Sequence, residues 1–152
     1  MTSGPRSLAP LLVAARHDRP DLRLADFSTE QIRWAVAAGL GPWLRRCTAE
    51  DPRAAESPAW PFVQSADLTA RFLADEKLDA MEEIVGHVER HVPPLTLLKG
   101  ISLCEQHYPE PHLRTMGDID ILVDEGSILE LESRLIGLGY RPQSAYPRET
   151  AS

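Results

Sequence analysis

Two consecutive prolines, Pro93-Pro94, divide this chain. Neither carries an N–H for a helix ladder, and each steers the residue before it away from helical geometry. Upstream of them apolar residues recur at helical spacing. Downstream they come in short β-branched and aliphatic runs punctuated by glycine and proline. A chain that changes period at one point is expected to be α/β (α+β). The expected organisation is a helical N-terminal region over residues 1–92, a sheet-bearing core over 93–142, and a polar tail over 143–152 that is expected to be disordered.

The 152 residues suffice for one domain with a real core, and 43% hydrophobic with 26% charged residues is the composition of a soluble globular protein. The net charge of −7 excludes a protein that coats nucleic acid nonspecifically, which needs a basic surface. It leaves a nucleotide substrate open, because a metal supplies positive charge locally. No apolar run reaches membrane-spanning length, and no basic stretch, apolar stretch and cleavage site open the chain. A cytoplasmic protein with no membrane partner is expected. Cys47 and Cys104 lie far apart without metal-ligand spacing and read as reduced, buried thiols.

In the N-terminal half, residues 6–17 read as a short helix. Ser28 and Gln31 form a capping-box pattern for a helix carrying Ile32, Val36 and Leu40, with Phe27 placed for a hydrophobic staple on Ile32. Gly39, Gly41 and Pro42 interrupt it, and Trp43 and Leu44 resume a helical turn toward Cys47. Residues 48–61 read as a loop. The longest signal, Val63 to Val92, is an amphipathic helix with Ala74, Leu78, Met81, Val85 and Val88 in its better row and Ala70 in a weaker one. His87 and His91 have metal-ligand spacing, but histidines at a helix end more often complement its dipole.

After the prolines, Leu95 to Leu98 reads as a short buried strand, Ile101 to His107 as a helix, and 108–112 as a turn-rich loop. Ser127 to Leu138 reads as a helix capped by Ser127 and stopped by Gly139, and Tyr140-Arg141-Pro142 as the start of a third strand.

The residues with chemistry lie in this second half. Asp118 and Asp120 flank Ile119 at the start of the apolar run Ile119-Ile121-Leu122-Val123. If the whole run is strand, residues i and i+2 share a face, so the two carboxylates stand side by side. Like charges held together repel, and a hard divalent cation removes the conflict. Mg²⁺ is held by one or two carboxylates, with water and phosphate completing its octahedron. A bare Asp-x-Asp is common by chance, and the neighbourhood gives it meaning. A strand ends in Lys99-Gly100 and opens a helix whose first turn includes Ser102. Glycine permits close backbone approach, a helix start offers N–H groups to phosphate, and lysine adds a compact charge. Arg114 stands four residues before Asp118, where it either clamps phosphate or pairs with the aspartates. Lys99, Gly100, Ser102 and Arg114 are thus the nucleotide-binding candidates, and Asp118 and Asp120 the catalytic and metal-binding ones, with Mg²⁺ as the expected cofactor. These are the parts that position a nucleoside triphosphate for in-line attack.

Leu97-Leu98-Lys99-Gly100, Tyr108-Pro109, Leu113 through Val123 and Leu138-Gly139-Tyr140-Arg141-Pro142 together resemble the uncharacterised nucleotidyltransferase family of the DNA polymerase β-like superfamily. The upstream helices resemble its N-terminal part more loosely. The resemblance implies a small mixed sheet with helices on it. It also implies transfer of a nucleoside monophosphate from an NTP to an acceptor, with Asp118 and Asp120 as the metal pair and Gly100 opening the helix under the triphosphate. The superfamily also uses a third carboxylate on a later strand, and no acid near a strand follows Pro142 here. A fragment of a longer protein, or a short form with impaired chemistry serving as a binding or regulatory module, is the alternative expectation. A third is a helical interaction protein docking through Val63 to Val92. A sheet begun by two strands leaves an edge through which copies can associate.

Overall fold

The computed structural model describes residues 22–88 and 95–143. The expected helix over 6–17, His91, the two prolines and nearly all of the expected tail lie outside them.

The capping box forms as its residues dictate. Ser28 Oγ accepts from the Gln31 amide, and Gln31 Oε1 accepts from the Ser28 amide, opening helix α1, Thr29–Ala37. Helix α2, Gly41–Cys47, follows directly. The segment expected as loop carries a 3₁₀ turn at Ala54–Glu56, and helix α3, Trp60–Val88, starts earlier than its apolar row suggests.

Helix α3 is the spine. Its buried residues Val63, Asp67, Ala70, Ala74, Met81, Ile84 and Val88 follow three-and-four spacing, one continuous stripe. The first part of the stripe packs against α1, α2 and the Leu22–Leu24 segment, with Ile32, Ala35 and Leu44. Its middle packs against Ile101, Cys104 and Met116, and its end against Ile121, Leu131 and Leu135. A fully buried side chain such as Ile101 contributes about 1.5–3 kcal/mol by leaving water.

Strand β1, Thr96–Leu98, pairs antiparallel with β2, Asp120–Leu122, in the register Thr96 to Leu122, Leu97 to Ile121 and Leu98 to Asp120. Among the described residues this pair is the sheet. β1 is less buried than its apolar sequence suggests: Leu97 turns inward while Thr96 and Leu98 face solvent. Helix α4, Lys99–His107, starts on the residue after β1, and a 3₁₀ turn, Pro111–Leu113, leads back toward β2. Helix α5, Ile128–Gly137, stops at Gly139, whose φ of 97° is the left-handed closure expected there. Ser127 does not cap α5 with its side chain. Asp124 instead accepts from the Gly126 amide in the 3₁₀ turn that precedes the helix. Tyr140 to Pro142 forms no strand: after the left-handed Gly139, the Tyr140 hydroxyl donates to Glu83 on α3. The α+β class holds, with helices dominating.

Candidate functional site

The register of the two strands builds the site. Leu98 sits opposite Asp120, so the residue after Leu98 emerges beside the acid strand. That residue is Lys99, whose Nζ lies 3.1 Å from Asp120 Oδ2. Its φ is 52°, the one positive value at a non-glycine position among the described residues. Left-handed backbone costs roughly 1–2 kcal/mol for a residue with a Cβ. It lets extended Leu98 pass into helix α4 within a single residue.

Asp120 opens β2, while Asp118 lies two residues before the strand. The strand is shorter than the apolar run, so pleat alternation alone does not set the relation of the two acids. Their surroundings differ: Asp118 is exposed, and the Asp120 carboxylate is 30% exposed beneath Lys99. Ile119 and Ile121 turn into the core on either side of Asp120 and fix its outward face. Leu122, on the same outward face, is 57% exposed.

Gly100 packs closely against Met116. A Cβ there would stand 3.2 Å from Met116 Cγ, so its bare face is turned to the core and lets α4 approach the segment leading to Asp118. The amides of this helix start remain the groups suited to phosphate. Ser102, half-buried, accepts a hydrogen bond from Gln106 at 3.1 Å. Arg114 forms no ion pair with either aspartate, and its Nε is buried without a hydrogen-bond partner. The Cys104 thiol approaches the Arg114 carbonyl and Met116 Sδ, at 3.7 and 3.4 Å. Burial pushes that thiol's pKa up, against the opposing pull of Arg114.

A polar cluster that the sequence reading missed anchors the approach to this site. Arg71 on α3 donates to Asp67 Oδ2 at 3.0 Å and to Glu110 Oε2 at 3.3 Å. Arg46 on α2 donates to Glu110 Oε1 at 2.8 Å. His112, in the turn before Arg114, places Nε2 3.3 Å from Asp67 Oδ1, short of hydrogen-bond geometry, and Oδ1 is left without a hydrogen-bond partner. The signal was present: Asp67 falls on the same stripe as Val63, Ala70 and Ala74, and a carboxylate on a core stripe requires partners.

The donor set suits Mg²⁺, which accepts one or two carboxylates plus water and phosphate. Asp120 already takes a cation, the Lys99 ammonium, at ion-pair distance. Among the described residues no three His, Cys, Asp or Glu side chains gather as a metal cluster. His87 is exposed at the end of the described part of α3. A groove of about 700 Å³ bordered by Leu22, Arg23, Phe27, Asp51, Arg53 and Pro58 shares no residue with the candidate site. No helix among the described residues is long and apolar enough to cross a membrane.

Fold and site together define an α+β domain in which a strand, a lysine-glycine turn and a helix start are registered against an acid-bearing strand. The chain belongs to the uncharacterised nucleotidyltransferase family, whose model matches residues 28–151. No curated protein and no solved structure matches it.

Proposed function

We propose that this nucleotidyltransferase-family chain transfers a nucleoside monophosphate from an NTP to an acceptor with Mg²⁺ held by Asp118 and Asp120. The observation that carries the reading is the 3.1 Å contact between Lys99 and Asp120, which joins the helix start to the acid strand. Family membership supports the general activity. Asp118 and Asp120 orient the metal. The amides at Gly100 and in the first turn of α4, with Ser102, receive the triphosphate. Lys99 and Arg114 offset its charge. The acceptor hydroxyl oxygen attacks the α-phosphorus and its proton passes to solvent, the bond from that phosphorus to the bridging oxygen breaks, and pyrophosphate leaves. Bound Mg²⁺ supplies charge neutralisation on the phosphates and the leaving group.

A second reading, a nucleotide-binding or regulatory module of the same fold with impaired turnover, is favoured by the acid pair having no third carboxylate gathered to it among the described residues. Two measurements separate the readings. Titration of NTP by calorimetry, with and without Mg²⁺, is expected to show Mg²⁺-dependent binding that is lost in Asp118→Asn with Asp120→Asn. Unchanged binding in that double variant refutes the metal role. Pyrophosphate release in the presence of candidate acceptors then separates transfer from binding alone.

A further inference from the structure

Lys99 combines three properties that an ordinary turn residue does not need together. Its backbone occupies a conformation where glycine or asparagine is the usual tenant. Its side chain is 71% exposed, while the carboxylate it meets is 30% exposed and anchored on a strand between two core isoleucines. An ion pair of that kind is weak, because water screens it and the long side chain loses rotamer freedom in holding it. An exposed monovalent cation held weakly on a fixed carboxylate is readily exchanged for a divalent one.

We infer that Lys99 is the exchangeable counter-ion of Asp120. Without metal its ammonium neutralises that carboxylate. When a divalent cation and a polyphosphate arrive together, the cation takes the carboxylate and the ammonium passes to the phosphate oxygens. This inference rests on the nucleotidyltransferase reading of the site. The strained backbone keeps the lysine stem within reach of both partners, since it starts the side chain between β1 and the helix opening. The arrangement couples the two ligands: metal alone must displace Lys99, whereas metal with polyphosphate gives the ammonium a new partner. Binding of each therefore favours the other.

The inference makes opposite predictions for the two ligands. On the full chain, free Mn²⁺ is followed by electron paramagnetic resonance with no nucleotide present. Binding of inorganic tripolyphosphate in saturating Mg²⁺ is followed by calorimetry. Lys99→Met and Lys99→Gly are compared with the parent, the second also relieving the backbone. Both variants are expected to bind Mn²⁺ about two- to fivefold more tightly, the range an exposed ion pair accounts for, and Mg²⁺-tripolyphosphate more weakly. Mn²⁺ affinity that is unchanged or lower in both variants overturns the exchange. If Mn²⁺ affinity falls in Asp120→Asn yet ignores Lys99, the exchange fails and the metal site stands. If Asp120→Asn binds Mn²⁺ as the parent does, the metal reading itself fails and the exchange with it.

Discussion

His112 Nε2 lies 3.3 Å from Asp67 Oδ1, with the two side chains only 6% and 9% exposed. This contact ties the turn that leads to Arg114 onto the spine helix α3. Glu110, in the same loop, takes Arg46 from α2 and Arg71 from α3, so three segments meet on one set of charges. The candidate site is hung from this junction on one side and from the β1–β2 pairing on the other.

Removing Asp67 strips Arg71 of its closest acceptor and leaves His112 facing a void. Asp67→Ala is expected to lower stability by about 2–4 kcal/mol, the range for breaking a largely buried charged contact. Asp67→Asn, which keeps the shape and one acceptor, is expected to lose less. Urea unfolding midpoints with a common m-value measure both.

The same junction makes stability depend on pH. Burial first, then the positive charge of Arg71, lowers the His112 pKa below its ordinary 6.5, with Asp67 and Glu110 opposing. Arg46 acts on the same junction through Glu110. The unfolded chain therefore binds this proton at higher pH than the folded one. The stabilisation is complete above about pH 6.5 and is lost as pH falls toward the folded-state value. Unfolding free energies between about pH 5 and about pH 7.5 are expected to show a smaller acid-side loss in His112→Gln than in the parent.

Helix α2 crosses α3 at Gly41, where an added Cβ would stand 2.5 Å from the Ala66 Cβ. Gly41→Ala is expected to destabilise by about 1–3 kcal/mol, despite alanine's better helix propensity, because overpacking moves two helices. Adding Ala66→Gly makes the room. The double variant is expected to be less destabilised than the sum of the single changes, which a thermal double-mutant cycle checks.

Cys104 is closed in by α3, Met116 and the Arg114 carbonyl, and its thiol is held protonated by burial. Native protein at neutral pH is expected to react with a disulfide reagent at this position only as fast as it opens. Reaction in Ile101→Ala, which loosens the same cluster, is expected to be faster, as peptide mapping of the labelled thiol reports.

Much of this was legible in the residues. Ser28 and Gln31 announce their helix, and Gly139 its end, because capping is local chemistry between near neighbours. The Lys99-Gly100 and Asp118-x-Asp120 pieces were visible as parts. The register that brings Lys99 to Asp120 was not, since the pairing of Leu98 with Asp120 is set by how the core accepts Leu97 and Ile121. The apolar run from Ile119 to Val123 suggested a longer strand than forms, because an edge with one partner pairs only as far as β1 extends. Gly100 was legible as a place where backbone could approach phosphate, and the contact of its bare face with Met116 was not legible beside it. Asp67 hid among charges on an amphipathic helix, although its place on the buried stripe set it apart.

Arg114 offers the sharpest test of the phosphate-binding side of the site. Of the two roles its position allows, pairing with Asp118 or Asp120 is not what the structure adopts. Its Nε is buried without a hydrogen-bond partner among the described residues. Arg114→Met keeps the length of the stem and removes the charge. Because Nε has no hydrogen-bond partner among the described residues to lose, its melting temperature is expected to stay near that of the parent or rise slightly. Binding of Mg²⁺-tripolyphosphate is expected to weaken about tenfold or more, the effect of one charge-assisted hydrogen bond. Arg114→Lys, which restores charge without the planar fork, is expected to recover only part of that affinity. Calorimetry beside thermal melting reads both quantities, and a variant that loses stability while keeping tripolyphosphate affinity would assign Arg114 to the fold alone.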